Sequence, residues 1–354
     1  MSIKPYRLVK SIFTIVIIVL FPFVSASQEY APGMTVGQTL LHYSGIYNKK
    51  RELLVYYPAS FQSDTASRKN MPVLYILDGE EFFLTAVNLQ RMYAEFAMYP
   101  VLPEFIIVGI KHLDRQEELF TGKGTEFTRY LEMEVLPLID SIKGGSGPRM
   151  LFGHSAGGLQ ILHFMRTKTG FFNAFMVSDP ALHWDNQNEL KALEQSVSSI
   201  HNPGLFLFLG ISNLLPYKTD TLMVQGMDPN LVSSTSHFRL KHFLQKNSSI
   251  RFRYDTRYYK DESHFSVPFI ALRDGLTTYF KNYRCQFFEW MTDPALDADV
   301  MINSIELHFE KLSSLLGYKI IPLKKDMEYY IKFLTSLGLD EKNRKMEILM
   351  KNWY

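Results

Sequence analysis

The stretch Gly153-His154-Ser155-Ala156-Gly157 follows an apolar run, Arg149-Met150-Leu151-Phe152, and precedes a helix-like segment at residues 159–165. This order predicts a strand, a sharp turn with a serine at its apex, and a helix. The two glycines matter because the turn is tight, and a side chain at either position would collide with the neighbouring strand or helix. The alternative is a glycine-rich turn whose serine is incidental.

Apolar runs alternate with helix-forming segments on both sides of this turn. Two antiparallel strands are predicted first, at residues 39–47 and 51–57. Further strands are predicted at residues 73–77, 105–110, 174–178, 205–210 and 250–259, and helices at 81–98, 127–142, 187–200, 234–246 and 267–283. The alternation predicts a mostly parallel sheet with helices on both faces. With the turn after the fifth strand, it fits an α/β-hydrolase fold.

Length and composition predict three regions. At 354 residues with 46% apolar residues, the chain can bury a large core, and a net charge of +2 gives no indication of nucleic-acid binding. We expect a signal peptide at 1–26, a catalytic domain at 27–287 and a small helical appendage at 288–354.

The first 26 residues are typical of a secretory signal. Lys4, Arg7 and Lys10 precede an apolar stretch of 13 residues at 12–24, and Val24-Ser25-Ala26 offers a cleavage site after Ala26. We therefore expect a periplasmic or secreted protein without a stable membrane span after cleavage, because a span needs about 20 apolar residues. Cys285 is the only cysteine, so no internal disulfide can form.

A serine at a helix start is well placed to act as a nucleophile, but its hydroxyl needs a general base. In this fold the histidine lies between the last strand and the last helix, and His264 occupies that place. We therefore expect Ser155 and His264 to form the catalytic pair. His154 lies inside the turn, and its side chain is expected to point away.

The third catalytic group should be an acid that orients the imidazole, in the loop after strand 205–210. No carboxylate follows this strand directly. Asp220 is the nearest candidate and is favoured over Asp228. A Ser–His pair without an acid, assisted by a backbone carbonyl or by Asn213, stays an alternative.

The tetrahedral intermediate needs two backbone N–H donors. One is expected at Ala156, directly after the serine. The other is expected at Gly79-Glu80, after the strand at 73–77, with the amide of Glu80 as the donor. The alternative for Asp78-Gly79 is a simple turn.

Several stretches together carry a resemblance that no one of them carries alone. They are Val73 to Gly79, Ile107 to Ile110 with Arg115 and Glu118-Leu119, Gly153 to Leu159, Val177 to Asp185, and the segment around His264. In this order, over about residues 39–285, they resemble the Putative esterase (esterase D-like) family of α/β-hydrolases, especially its siderophore-esterase-like branch. The resemblance implies that Ser155 is the nucleophile and His264 the base.

Two positions depart from the family pattern. The family often has a Glu shortly after the strand that ends at Gly210, where this chain has Asn213, and often has Gly after the histidine, where this chain has Phe265. The first departure leaves the acid open. Arg115 could bind an acidic substrate group or pair with Glu118, and Trp184 could line the pocket or serve packing alone.

These patterns favour a serine esterase that acts on a small-molecule or glycan ester. An acyltransferase using the same acyl-enzyme and a non-catalytic binding protein are the alternatives. No H-E-x-x-H motif and no phosphate-binding glycine loop occurs in the sequence, so neither a metal site nor a cofactor is expected.

Overall fold

A central sheet carries the fold of the described part of the chain. The computed structural model describes residues 35–63, 68–97, 100–120, 124–145, 147–213 and 232–354. The predicted signal peptide, residues 1–26, lies outside these residues. Within them, the sheet has eight strands in the order β1-β2-β4-β3-β5-β6-β7-β8. The strands are β1 (Gln38–Ser44), β2 (Lys49–Tyr56), β3 (Val73–Leu77), β4 (Ile106–Ile110), β5 (Arg149–His154), β6 (Ala174–Ser178), β7 (Phe206–Ser212) and β8 (Arg253–Tyr259).

The predicted mixture of antiparallel and parallel pairing is confirmed. Strand β1 pairs antiparallel with β2, and β2 pairs antiparallel with β4. All pairs from β4 through β8 are parallel, so the carboxyl ends of these strands meet at one edge of the sheet. Side chains at this edge can therefore converge although they are far apart in sequence.

Helices connect the strands at the predicted places, with ends that differ by a few residues. Those of the first part are α1 (Ala59–Ser63), α2 (Gly79–Gln90), α3 (Arg115–Leu119), α4 (Gly124–Tyr130), α5 (Leu136–Lys143), α6 (Ala156–Thr167), α7 (Asn188–Ser196), α8 (Val232–Lys246) and α9 (Val267–Tyr279). The last part adds α10 (Phe287–Thr292), α11 (Ala298–Leu316), α12 (Lys324–Ser336) and α13 (Asp340–Trp353). A single π-helical turn extends α2 at Arg91–Glu95.

Burial on both faces explains why the inner strands read as continuous apolar runs. Strand β3 is buried at every position. Its residues alternate between two cores: Tyr75 belongs to one, whereas Leu74 and Ile76 belong to the other. Each face of the sheet therefore has its own apolar layer under a set of helices, as expected for an α/β-hydrolase fold.

The C-terminal helices extend one of these two cores. Phe309 of α11 meets Tyr283 edge-on, with ring centroids 6.3 Å apart, and Phe287 stacks on Tyr330 of α12 at 4.7 Å. These rings belong to the same apolar cluster as Leu74 of the sheet. The segment 288–354 is helical as predicted, and residues Val36–Tyr354 form one compact unit.

Candidate active site

Ser155 lies at the turn between β5 and α6. Its backbone has φ 55° and ψ −115°, a left-handed conformation that side chains rarely adopt. Glycine is required nearby, because a Cβ on Gly153 would lie 2.6 Å from the backbone carbon of Gly157. The sharp turn predicted from the sequence is therefore present, with the serine at its apex.

The backbone of Ser155 is tied to the segment that follows β6. Its N–H donates to the carbonyl of Ser178 at 3.0 Å, and its own carbonyl accepts from the N–H of Ala181 at 2.9 Å. Asp179 lies between these two partners in sequence. The serine and this aspartate are thus carried by neighbouring strand ends that are bonded to each other.

His264 lies in the loop between β8 and α9, as predicted, and contacts Asp179. Its Nδ1 lies 3.0 Å from Oδ2 of that carboxylate. Because a carboxylate only accepts, Nδ1 carries the proton and Nε2 is left free to accept one. Among the described residues no hydrogen bond joins the Ser155 hydroxyl to His264; such bonds are often long in a free enzyme and tighten around substrate.

Asp179 is fully buried directly after β6, with φ 42°. Its Oδ1 accepts from the backbone N–H of Ser212 at 2.7 Å, and its Oδ2 accepts from the Ser212 hydroxyl. Burial acts to raise the pKa of Asp179. The hydrogen bond from His264, the charge of His237 and the bonds from Ser212 outweigh it, so the pKa lies below its ordinary value. The carboxylate therefore stays ionised beside the imidazole.

Neither acid predicted from the sequence can be placed. Asp220 and Asp228 both lie outside the described residues. The side-chain amide of Asn213, at the position where the family often has a Glu, donates to the carbonyl of Lys260 at 3.0 Å. Sequence reasoning did not consider Asp179, because it sought an acid after β7. The available signal was an Asp-Pro pair directly after a buried parallel strand.

His154 does not point away from the site, contrary to expectation. Its ring lies beside that of His264, with centroids 4.4 Å apart, and its Nδ1 lies 3.1 Å from the carbonyl of Ser178. Burial, followed by the nearby charge of His264, lowers the pKa of His154 to about 4. It is therefore a neutral wall of the site near pH 7.

The two predicted oxyanion donors come from adjacent turns. Ala156 is the first residue of α6 and Glu80 the second residue of α2, so both amides fall in a first helical turn, where N–H groups lack partners within the helix. The two turns are close, because a Cβ on Gly157 would lie 3.2 Å from Oδ2 of Asp78. The arrangement suits two N–H groups that converge on one oxygen.

Arg115 pairs with Asp78 and not with Glu118, the structural partner considered from the sequence. Its Nε lies 2.5 Å from Oδ1 of Asp78, and its Nη2 3.0 Å from Oδ2. Glu118 instead pairs with buried Arg51 at 2.5 Å and with His112 at 2.7 Å. The side chain of Arg115 is 38% exposed, so one part of the guanidinium braces the turn before Glu80 while another faces solvent.

Trp184 lines a cavity beside the serine helix. The cavity has a volume of about 360 Å³, and its wall includes Leu159, which lies one helical turn after Ser155. Trp184 packs against Phe120 with ring centroids 4.5 Å apart and is 39% exposed. An aromatic wall along the helix that Ser155 precedes suits an apolar or aromatic part of a substrate.

The described residues contain neither a metal-binding cluster nor a helix suited to span a membrane. In that part of the chain, no group of three or more His, Cys, Asp or Glu side chains is arranged to hold a metal ion. The helices described there include none with the length and apolar character that a membrane span requires.

Comparison with known proteins identifies relatives of this chain. A sequence model of the family described as Putative esterase matches residues 44–267. The siderophore triacetylfusarinine C esterase of Aspergillus fumigatus is 23% identical over 258 residues, which covers 65% of this chain and 88% of that protein. The siderophore enterobactin esterase of Emericella nidulans is 23% identical over 203 residues, covering 49% of this chain and 67% of that protein.

Solved structures agree with the fold. A crystal structure of an IroE-like serine hydrolase from Shewanella oneidensis has a TM-score of 0.74 and 25% identity, and it covers 90% of this chain and 99% of that one. The siderophore hydrolase EstA from Aspergillus nidulans has a TM-score of 0.58 and 20% identity, with 72% and 99% covered.

Proposed function

This chain belongs to the Putative esterase family and is an ester hydrolase, and on that premise we propose that it cleaves carboxylic esters through an acyl-enzyme on Ser155. The observation that carries the proposal is the 3.0 Å contact between Nδ1 of His264 and the carboxylate of Asp179. Asp179 lies between Ser178 and Ala181, and the backbones of both these residues are hydrogen-bonded to the backbone of Ser155. These are the elements of a nucleophile, a base and an acid that orients the base.

In the first half-reaction, Nε2 of His264 takes the hydroxyl proton while the serine oxygen attacks the ester carbonyl. The carbonyl oxygen becomes an oxyanion, which the N–H groups of Ala156 and Glu80 stabilise. When the tetrahedral intermediate collapses, the bond to the alkoxy oxygen breaks, and His264 returns its proton to the departing alcohol. The acyl group is left on Ser155.

In the second half-reaction, a water replaces the alcohol. His264 takes a proton from the water as its oxygen attacks the acyl carbon, and then returns that proton to the serine oxygen as the acid departs. An alcohol in place of the water would give acyl transfer by the same steps. The two outcomes differ only in the acceptor.

Asp179 takes the role of the acid in this proposal. It holds the tautomer of His264 that leaves Nε2 free, and it stabilises the imidazolium formed during attack. Support comes from its complete burial, its contact with Nδ1 and the hydrogen bonds from Ser212 that keep it ionised. Asp220, favoured from the sequence, is the competing candidate.

For the substrate we propose a siderophore ester. The relatives are named as siderophore esterases, and the cavity along the helix that Ser155 precedes has an aromatic wall formed by Trp184 and Phe120. Arg115 offers a partly exposed guanidinium for an acidic substrate group. The signal-like residues 1–26 support a periplasmic or secreted site of action.

The proposal is tested by hydrolysis of an ester panel by the purified protein, followed by mass spectrometry of the products. The panel contains triacetylfusarinine C and enterobactin, each with and without iron, together with methyl ferulate and p-nitrophenyl acetate. We expect a siderophore ester to give the highest kcat/KM, by at least about tenfold, and the Ser155→Ala variant to give none. Cleavage of no ester, or equal cleavage by the variant, would refute the hydrolytic mechanism.

An acceptor arm of the same experiment separates hydrolysis from acyl transfer. The best substrate is incubated with and without a glycerol or sugar acceptor. Free acid as the main product in both cases supports the proposal. If the acylated acceptor is the main product, the reaction is acyl transfer and the proposed hydrolysis is wrong. Preference for the simple esters would refute the siderophore assignment alone.

A further inference from the structure

A second histidine lies near the carboxylate of Asp179, at the oxygen that His264 does not contact. His237, in α8, is 2% exposed, and its Nδ1 lies 3.8 Å from Oδ1 of Asp179. Its Nε2 lies 2.6 Å from the carbonyl oxygen of Pro180. Its Nδ1 has no hydrogen-bond partner among the residues that the structure describes. The ring is therefore buried with one nitrogen satisfied and the other directed at the catalytic acid.

The contact with Pro180 fixes which nitrogen carries the proton. A carbonyl oxygen only accepts, so Nε2 of His237 must donate whether the ring is neutral or charged. In the neutral ring, Nδ1 then presents a lone pair to the carboxylate and gives Asp179 no hydrogen bond. In the charged ring, Nδ1 carries a proton and faces the carboxylate as a cation.

The Pro180 peptide, whose carbonyl accepts the hydrogen bond from His237, belongs to a strained turn. Asp179 has φ 42°, and its N–H donates to the carbonyl of Gly210 at 2.9 Å. Pro180 follows directly, and its carbonyl also accepts from the N–H of Leu182. Holding the Pro180 carbonyl from α8 therefore restrains the backbone from which the acid reaches towards His264.

We propose that His237 is a positioning residue for Asp179: its neutral ring holds the Pro180 peptide and leaves the carboxylate to His264, and a proton on Nδ1 draws the carboxylate away from His264. The proposal rests on the catalytic roles given above to Asp179 and His264. A neutral His237 permits catalysis, and a charged one opposes it, because a single carboxylate cannot fully support two imidazolium ions.

The charged and titratable neighbours of His237 set the pH of this change. In the part of the chain that the structure describes, they are Asp179, His264 and His183, which lies between β6 and α7. Burial lowers the pKa of His237 most strongly, the charge of His264 adds to this effect, and Asp179 and the Pro180 carbonyl oppose it. The net pKa lies below the ordinary 6.5, so His237 is neutral near pH 7 and takes its second proton in acid.

The first experiment measures kcat and KM from pH 4.5 to 9 for the wild type, His237→Gln and His237→Phe. Glutamine can still donate to the Pro180 carbonyl but cannot take up a proton; phenylalanine can do neither. For the wild type, log(kcat/KM) should fall with a slope that approaches 2 in acid, one proton on His264 and one on His237. For His237→Gln the slope should be 1, with kcat at pH 8 within about threefold of the wild type.

For His237→Phe we expect kcat to fall by at least about tenfold with KM changed less than threefold, since the acid loses its support while the substrate cavity is untouched. His308→Gln, a partly buried histidine of α11, is the control and should keep the wild-type profile. A wild-type slope of 1, or a slope of 2 that persists in His237→Gln, would overturn the proposal. Circular dichroism at each pH excludes unfolding as the cause of a slope.

The second experiment needs no substrate. ¹⁵N NMR of the histidine rings should show His237 protonated at Nε2 near pH 7, and its second protonation should move to lower pH in Asp179→Asn, which removes the attracting charge. If no ester is cleaved, the proposed function fails while this titration still tests the contact. If esters are cleaved and the titration does not respond to Asp179→Asn, the further inference alone fails.

Discussion

Asp179 shows how one buried side chain can connect several segments of a candidate site. Its carboxylate accepts from Ser212 and contacts His264, and it has no exposure to solvent. Such a group is costly to bury unless its partners are in place. The cost is offset here by neighbours on β7 and on the loop before α9, so the acid also links three segments of the sheet edge.

Replacing Asp179 by Asn should lower kcat by about 10²–10⁴-fold, because an amide can donate to the imidazole and favour the wrong tautomer. Asp220→Asn is the matched control and should retain kcat within about threefold. The measurement is steady-state hydrolysis of the best ester of the panel, with folding checked by circular dichroism. A large loss in Asp220→Asn with little change in Asp179→Asn would return the acid to the loop after β7.

Sequence reasoning predicted Ser155 and His264 for the candidate site but did not consider Asp179, for a physical reason. Ser155 is marked by glycines that a strained turn requires, and His264 by its place before the last helix. A carboxylate carries no comparable local mark. Because β6 and β7 are parallel neighbours, an acid at the end of either strand can reach the same imidazole, and only the fold distinguishes them.

At the scale of elements, close approach of two backbones positions the turn that carries Glu80, the second oxyanion donor of the proposed mechanism. Gly79 opens α2 directly over β4, and a Cβ on it would lie 2.5 Å from the backbone carbon of Gly109. No side chain can yield there, since the contact is with main chain. The pairing of two glycines therefore sets how near the start of α2 comes to the sheet.

Gly79→Ala should lower the free energy of unfolding by about 1–3 kcal/mol, because the methyl group overpacks against a rigid strand. It should also reduce kcat more than it raises KM, since the amide of Glu80 moves. Gly170→Ala is the control: a Cβ there meets no atom within 4 Å, and stability should change by less than about 0.5 kcal/mol. Urea denaturation measures the stability of both variants. Equal stability of the two variants would contradict this account of the turn.

Element types were predictable, while some ends were not. Strand β3 and the sharp turn after β5 lie where their apolar runs and glycines predict. Helix α2 begins at Gly79, two residues before the predicted start, and gives way to a π-helical turn after Gln90. Local propensity does not encode that change of hydrogen-bond pattern, and helix ends are uncertain by one or two residues in any assignment.

For the molecule as a whole, the C-terminal helices complete a core that the sheet begins. Asp326 of α12 lies where these helices meet the rest of the chain, in a small cavity that is also lined by Tyr283, Cys285 and Phe287. Burial raises its pKa from the ordinary 3.8 to about 7, and the nearby charge of Lys325 opposes the shift only in part. Asp326 therefore takes up a proton more easily than an ordinary aspartate.

This group should make stability depend on pH. Between about pH 4 and pH 7 the folded protein holds a proton that the unfolded chain has released, so stability falls as the pH rises. Asp326→Asn should remove this loss and be more stable than the wild type at pH 9 by about 2–4 kcal/mol, with little difference at pH 4. Denaturation midpoints at the two pH values test the prediction.

The control for this prediction is Asp299→Asn. The carboxylate of Asp299 pairs with Lys345 of α13 but is 65% exposed, so its loss should change stability by less than about 1 kcal/mol at either pH. If both variants respond alike at pH 9, the effect comes from the general charge of the C-terminal helices and not from the burial of Asp326.

The central claim is that the Ser155 hydroxyl is activated for attack by His264. Intact-mass spectrometry after treatment with a fluorophosphonate measures this directly, because the probe reacts only with an activated serine. We predict one adduct on the folded wild type, located at Ser155 by peptide mapping and absent from Ser155→Ala, with labelling at least about 100-fold slower in His264→Gln. A folded wild type that takes no label, or a Ser155→Ala variant that is still labelled, would contradict the account.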